Sequence, residues 1–330
     1  MIYGKKIGMV AFLVMLLLSS GCSTFGVLPA EDDTPAVGVK VGALSGIRTM
    51  VSAEKLEKQA ENAYQKRLKE AENKEQRVPA DDAEAKRLDA IGKRMIPVAV
   101  AVSADTEKYA DAAQWTWEVN LIRSEEINAF CMPGGKIAFY TGLIDKLEAT
   151  DDELAMVMGH EIAHALREHA RAQAAKGQLT SIGATVLGMV VGKGQFARVF
   201  DFANDLLNLQ FSRDDEGEAD LIGLELAARA GYDPRAGVSL WQKMDKANSG
   251  ASIPFLSTHP SSENRIREIE AQLPSVLPLY ESAEKPEALA QPQQKEAEQT
   301  PEPQQTPTKK SGRGSQKNPQ KTANKPTRGG

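Results

Sequence analysis

Two histidines four residues apart, with a glutamate directly after the first, constrain the middle of this chain more than any other feature: His160-Glu161-Ile162-Ala163-His164. The stretch lies in a helix whose start is legible. Thr150-Asp151-Asp152-Glu153 has the capping-box form, in which the hydroxyl and the Glu carboxylate satisfy free amides of the first turn, and the helix is predicted to run from there to about Lys176. At about 100° per residue the two histidines sit only about 40° apart on one face. Both rings can therefore reach one ion, while Glu161, on the adjoining flank, can address a water held by that ion without being a ligand.

A catalytic zinc needs three protein ligands and one open position. The chain offers four histidines, His160, His164, His169 and His259. His169 stands about 140° around the helix from His164, so it is expected to face elsewhere, as a packing or surface residue. The third ligand is then expected to be an acid on another helix, and Ser212 to Asp220 is rich in acids. Glu216 and Asp220 are one turn apart and share a face, whereas Glu218 points roughly opposite to Glu216. A ligand at Glu216, with Asp220 behind it orienting a histidine ring through its other nitrogen, is an arrangement zinc sites commonly use. The same run also fits an ordinary solvated helix start.

Around this centre the pattern is α+β and mainly helical. A solvent-facing helix is expected over Ala53 to Arg77 and another over Asp82 to Met95, after which Pro97 opens a β section. Alternation at Val98, Val100 and Val102, and again at Trp115, Trp117 and Val119, reads as strand. Ile127 to Tyr140 continues the small sheet around a Pro133-Gly134-Gly135 turn. Leu179 to Val191 is apolar but short for a membrane span, and reads as a buried or amphitropic helix. Further helices are expected from about Phe196 or later to Arg229, from Asp233-Pro234 to Lys246, and from Ser261 to Leu273.

The 330 residues carry a net charge of −5, yet Thr306 to Gly330 holds seven Lys or Arg and no acid. An acidic body excludes nucleic acid as its main partner. At the other end, Lys5 and Lys6 precede the apolar run Gly8 to Leu18, an export signal too short to stay in a bilayer. It leads into Leu17-Leu18-Ser19-Ser20-Gly21-Cys22, which resembles a bacterial lipoprotein cleavage site, with Ser19 where Leu is more usual. That resemblance implies lipidation at Cys22, and Ser23 after it implies sorting to the outer membrane, facing the periplasm. The expected layout is a signal peptide over 1–21, a tether over 22–51, a folded domain over 52–280, and a disordered low-complexity tail with a basic end over 281–330. With Cys22 lipidated, Cys131 is a free, packed thiol.

His160-Glu161-x-x-His164, Ser212-Arg213-x-x-Glu216-x-x-Ala219-Asp220, Thr258-His259-Pro260 and Arg265-Ile266 together resemble metallopeptidase family forty-eight, the HtpX-like and CAAX-prenyl-protease-like zinc peptidases. Asn128-Ala129-Phe130-x-x-Pro133-Gly134-Gly135 and Thr141-Gly142-Leu143 are similar to that family's substrate-side segment. The resemblance spans about Glu54 to Leu273, and with the lipoprotein signal it points to a soluble periplasmic branch. It implies a gluzincin-type zincin domain, with a small sheet beside the active-site helix and one zinc ion per chain. His160, His164 and Glu216 would hold the metal, Glu161 would be the general base, and Asp220 would support a ligand. His259 would donate to the oxyanion. Asn128 and Ala129 would hold protein or peptide substrate by strand addition. The expected activity is endoproteolysis of misfolded or misassembled envelope proteins.

Two other classes stay open on residues alone. One is a periplasmic chaperone or assembly factor using the same strand edge without cleavage; it would not need Glu161. The other is an envelope interaction protein gripping anionic components weakly through the basic tail, although that composition first suggests a solvated linker end.

Overall fold

The computed structural model describes residues 38–179, 209–248, 253–260 and 263–286. These residues lie in one unit, Met1–Ala288. The expectations for the signal peptide, Cys22, residues 180–208 and the tail beyond 286 lie outside the described residues.

Helix α1 spans Ala53–Asn73 and α2 spans Ala83–Val102. Three strands follow, β1 (Glu118–Ile122), β2 (Ala129–Met132) and β3 (Lys136–Tyr140). Helices α3 (Thr141–Leu147) and α4 (Asp151–Leu166) come next, and residues 169–179 form α5. Then come α6 (Arg213–Arg229), α7 (Ala236–Asn248), α8 (Pro254–Thr258) and α9 (Glu263–Ser282). The sheet order is β1-β3-β2, with β1 parallel and β2 antiparallel to β3. The fold is α+β and mainly helical, as expected.

Helix α4 is the centre of the molecule. Every residue from Glu153 to Leu166 is buried, so α4 packs on all sides. Its capping box is present in both halves, with Glu153 N donating to Thr150 Oγ1 at 3.2 Å and Thr150 N donating to Glu153 Oε2 at 2.9 Å. The β2–β3 hairpin turns on Gly134 and Gly135, at φ 85° and 79°. Gly135 also clears Trp117, whose ring a Cβ there would meet at 2.7 Å.

Several elements differ from expectation. Helix α2 does not stop for a β section at Pro97: Val98, Val100 and Val102 are helical. Its buried positions, Leu88, Ile91, Met95 and Ala99, keep helical spacing through the proline. Pro97 and Lys93, whose carbonyl the proline leaves unpaired, are both exposed, so water can satisfy that carbonyl. The same holds in α9, which runs nine residues past the expected end, to Ser282, with Pro274 and Pro278 on its outer side and Val276 buried. Helix α1 is solvent-facing on one side only; Leu56, Tyr64 and Leu68 bury the other, because its scattered apolar positions fall on one face. Trp115 and Trp117 precede the strand instead of belonging to it. The two indoles pack against each other, with ring centroids 5.3 Å apart.

The stretch read as a tether is, from Gly38 onward, laid along the domain as a strap. Gly38 N donates to Ser275 O, Val39 N to Glu225 Oε2 and Leu44 N to Glu107 O, at 2.9, 2.7 and 2.9 Å. Small residues with no periodicity suit an extended segment whose amides bond elsewhere, and composition alone does not separate that from a solvated linker.

Candidate metal centre

The site is made where α4 crosses α6. Gly159 and Gly223 form the crossing: a Cβ on Gly159 would stand 2.7 Å from Gly223 O, and one on Gly223 would stand 2.7 Å from His160 N. Two glycines therefore let the helix backbones touch, which places Glu216 and Asp220 of α6 opposite His160 and His164 of α4. Helix α6 starts with its own capping box, Ser212 and Asp215.

His160 Nε2, His164 Nε2, a Glu216 carboxylate oxygen and a His259 nitrogen all lie within 4.8 Å of one another, and all four residues are buried. His160 Nε2 stands 3.1 Å from His164 Nε2 and 3.5 Å from Glu216 Oε2. His164 Nε2 is 3.4 Å from Glu216 Oε1. Nitrogen and oxygen donors placed tetrahedrally around zinc at their usual bond lengths are about 3.4 Å apart, so the donor set has the right type and spacing. Among the described residues, Glu161 Oε1 and Glu216 Oε2 are two of three buried polar side-chain atoms without a hydrogen-bond partner. Arg265 Nη1 lies 2.8 Å from Glu216 Oε2, an ion pair without hydrogen-bond alignment. The unpaired Glu161 Oε1 and a Glu216 carboxylate among imidazole nitrogens fit a cation.

Asp220 stands behind His160, with Oδ1 3.0 Å from His160 Nδ1. Arg265, on α9, grips that carboxylate with two bonds, Nε to Oδ2 at 2.6 Å and Nη2 to Oδ1 at 2.8 Å. Sequence reading assigned Arg265 no role, although a buried Asp serving a neutral ring needs a cation somewhere. Phe211, also missed, stacks on His164 with centroids 4.1 Å apart.

His259 closes α8, its ring stacked on Phe255 at 4.6 Å. Its Nδ1 is 3.0 Å from Glu216 Oε1 and 3.3 Å from His160 Nε2, in the corner that a catalytic zinc keeps open. Its Nε2 is 3.5 Å from Glu161 Oε1. Glu161 Oε2 accepts the backbone N–H of Cys131 at 3.2 Å, which ties the carboxylate to β2.

Strand β2 is an edge of the described sheet. Asn128 O and Met132 O accept from the β3 side, so by alternation the backbone groups of Ala129 and Cys131 face the open edge. Asn128 Oδ1 accepts from Ala129 N at 3.0 Å. Asn128 and Ala129 line a narrow cleft together with Glu161, His164, Phe211 and His259. An adjoining pocket runs past His164 to Leu56, Glu57 and Trp115. The Cys131 thiol is in no disulfide and partly buried, and burial, helped by the Glu161 charge, raises it well above its ordinary value, which disfavours the thiolate.

His169 does not face elsewhere. Helix α4 ends at Leu166, Glu168 takes φ 53°, and α5 leaves in a new direction. The turn returns the buried His169 to the back of His164, with Nδ1 to Nδ1 at 2.9 Å. No glycine or proline marks this break. Glu168 is instead pinned by Arg48 of the strap at 2.5 Å and by Arg171 at 2.6 Å.

Electrostatics separates the groups. Burial works to lower His160, but the Asp220 and Glu216 contacts outweigh it and push it up to about 9. Burial holds His164 well below its ordinary value despite Glu216. Burial would raise Glu216, yet the three histidines around it hold it far below the usual carboxylate range. Glu161 is raised by burial, against the opposing pull of His259 and His160, which makes it a stronger base than a free glutamate.

Comparison with known proteins agrees with this chemistry. Residues 82–273 match Peptidase family M48. The chain is 39% identical over 151 residues to mitochondrial metalloendopeptidase OMA1 of Arabidopsis thaliana, covering 46% of this chain and 30% of the relative. It is 36% identical over 208 residues to the protein of the same name in Schizosaccharomyces pombe, covering 59% and 60%. Against the beta-barrel assembly-enhancing protease of Yersinia pestis it is 26% identical over 275 residues, covering 78% and 52%. The chain thus spans from under a third to three fifths of the length of these relatives. With the family match covering more than half of the sequence and the paired histidines, the glutamate and the acidic helix all inside it, the chain belongs to Peptidase family M48.

Proposed function

We propose that the chain is a zinc-dependent endopeptidase acting on protein substrates. The observation that carries this reading is the set of buried donors from His160, His164 and Glu216 at tetrahedral spacing, with Glu161 beside it and bonded to an edge strand. Zinc held there supplies a Lewis acid that polarises a carbonyl and makes water nucleophilic near neutral pH.

The remaining steps belong to the chain's own residues. An extended substrate pairs with β2 through the outward carbonyls of Ala129 and Cys131, whose amides already bond Asn128 Oδ1 and Glu161 Oε2. The pocket beside Trp115 and Leu56 receives a flanking side chain. Glu161 takes the proton from the attacking water through Oε1, the oxygen without a hydrogen bond, while Cys131 N–H holds Oε2 in place. The same carboxyl then passes the proton to the leaving amine. His259 lies beside Glu161, with Nε2 3.5 Å from Oε1, and its ring N–H donates to the oxyanion when substrate takes the corner Nδ1 now fills.

The finer reading places the substrates among misfolded or misassembled cell-envelope proteins, with the enzyme held by lipid on Cys22 at the outer membrane. It is supported by the residues around Cys22 and by the relative named for beta-barrel assembly. Among the described residues no helix is long and apolar enough to cross a membrane. Intact mass of the membrane-extracted protein tests the anchor: added acyl mass on a chain beginning at Cys22 supports it, and a soluble product cut elsewhere removes it. The open β2 edge also suits a second reading, a chaperone that binds unfolded chains without cutting. Zinc analysis and casein digestion on one preparation separate the two: zinc with cleavage supports the peptidase, and binding without cleavage supports the chaperone.

A further inference from the structure

The two histidines of α4 present the same nitrogen to the cluster and need the same thing behind it. Each turns Nε2 inward, so each ring must carry its proton on Nδ1 to keep Nε2 free as a ligand. At His160 the acceptor is Asp220, clamped by the two bonds from Arg265. At His164 the neighbour is another ring, His169, with Nδ1 2.9 Å from His164 Nδ1. On the far side, His169 Nε2 is 3.1 Å from Glu218 Oε2. Glu218 is held by Arg167 with a second two-bond clamp, Nε to Oε2 at 2.7 Å and Nη2 to Oε1 at 2.8 Å. Arg167 in turn reaches the carbonyl of Gly42 in the strap at 3.0 Å.

One assignment of protons satisfies every contact with both rings neutral. His164 Nδ1–H donates to His169 Nδ1, and His169 Nε2–H donates to Glu218. Any other neutral pairing either blocks His164 Nε2 or sets two lone pairs against each other. The left-handed turn at Glu168, a conformation that a non-glycine residue adopts only at a cost, is what brings His169 to this position.

We propose that His169 is a positioning residue for His164, oriented by Glu218 and Arg167, and that this relay sets the affinity of the centre for zinc. The inference rests on reading the cluster as a zinc site. It makes Glu218, which no spacing argument favoured, part of the support of the centre.

The experiment is zinc affinity by competition with a chelator on the full chain, for the parent and two variants of similar size. Asn places its Oδ1 two bonds from Cβ, as His places Nδ1, so H169N keeps an acceptor for His164. Gln places its amide where Nε2 was, so H169Q keeps the Glu218 contact and loses His164. The expected result is H169N, which keeps the acceptor but loses the Glu218 contact, weaker than the parent by about threefold, and H169Q weaker by about 10- to 100-fold. Thermal unfolding of the metal-free variants checks that both fold alike. If H169Q binds zinc as tightly as the parent, or both variants lose affinity equally, the relay is wrong. A parent chain that binds no zinc overturns the metal reading itself and the relay with it.

Discussion

Gly159 and Gly223 meet backbone to backbone, and the distance from His160 to Glu216 depends on that contact. A methyl group at either position would have to displace main chain and not a flexible side chain. Gly223→Ala gains about 1 kcal/mol in helix propensity, yet the overpacking costs about 1–3 kcal/mol and moves α6 away from α4. The expected outcome is a lower denaturation midpoint together with weaker zinc binding. A variant as stable as the parent, with unchanged zinc affinity, would show that the crossing has slack.

Glu161→Gln keeps the side chain's shape and its ability to accept the Cys131 N–H, but removes the base. Hydrolysis of casein should fall by at least about a hundredfold, while zinc content and binding of unfolded substrate stay at the parent level. Cleavage rate, affinity and zinc content on one preparation check this, and an undiminished rate would take the proton-transfer role from Glu161.

Zinc retention should grade with position in the cluster. Glu216→Ala removes a donor and should leave the protein without zinc after dialysis against a mild chelator. Asp220→Asn keeps the shape but loses the charge that orients His160 and answers Arg265, and should weaken zinc by about 10- to 100-fold. Elemental analysis after graded chelation reads both, and normal zinc in Glu216→Ala would exclude it as a ligand.

The α4 cap gives a pH test away from the metal. Burial acts to raise Glu153, but Lys243 at 2.7 Å, the Thr150 amide and Ser239 together hold it below its ordinary value. Its folded pKa is depressed, so its contribution to stability is complete above the unfolded value of about 4.3 and is lost as pH falls through the folded value. Glu153→Gln should therefore be less stable than the parent by about 1–2 kcal/mol at pH 7. The gap should close below pH 4, as followed by urea midpoints across that range. A gap that stays constant with pH would assign the effect to packing.

The clustering of the candidate ligands was legible because helical spacing puts His160 and His164 on one face and pairs Glu216 with Asp220, a periodicity that these unbroken stretches of helix keep. The continuation of α2 through Pro97 was not legible, because it depends on where the freed carbonyl points, and only the packed helix decides that. The error at His169 has the same origin. Extrapolating 100° per residue assumes an unbroken helix, and the break at Glu168 is held by Arg48, a residue 120 positions away in sequence. Arg265 was visible as part of a motif, but its two bonds to Asp220 come from helix packing that no local pattern encodes.

The strap has a bearing on when the molecule becomes whole. Its hydrogen bonds run from Gly38 to Ser275, from Val39 to Glu225 and from Leu44 to Glu107, and its Arg48 holds the turn at Glu168. A chain that emerges from its N-terminus makes the strap first and every one of these partners later. The bond from Gly38 has no partner until the closing helix arrives, and pairings this distant are the slow ones. The start of the strap, made before all of its partners, is thus among the last described segments to settle.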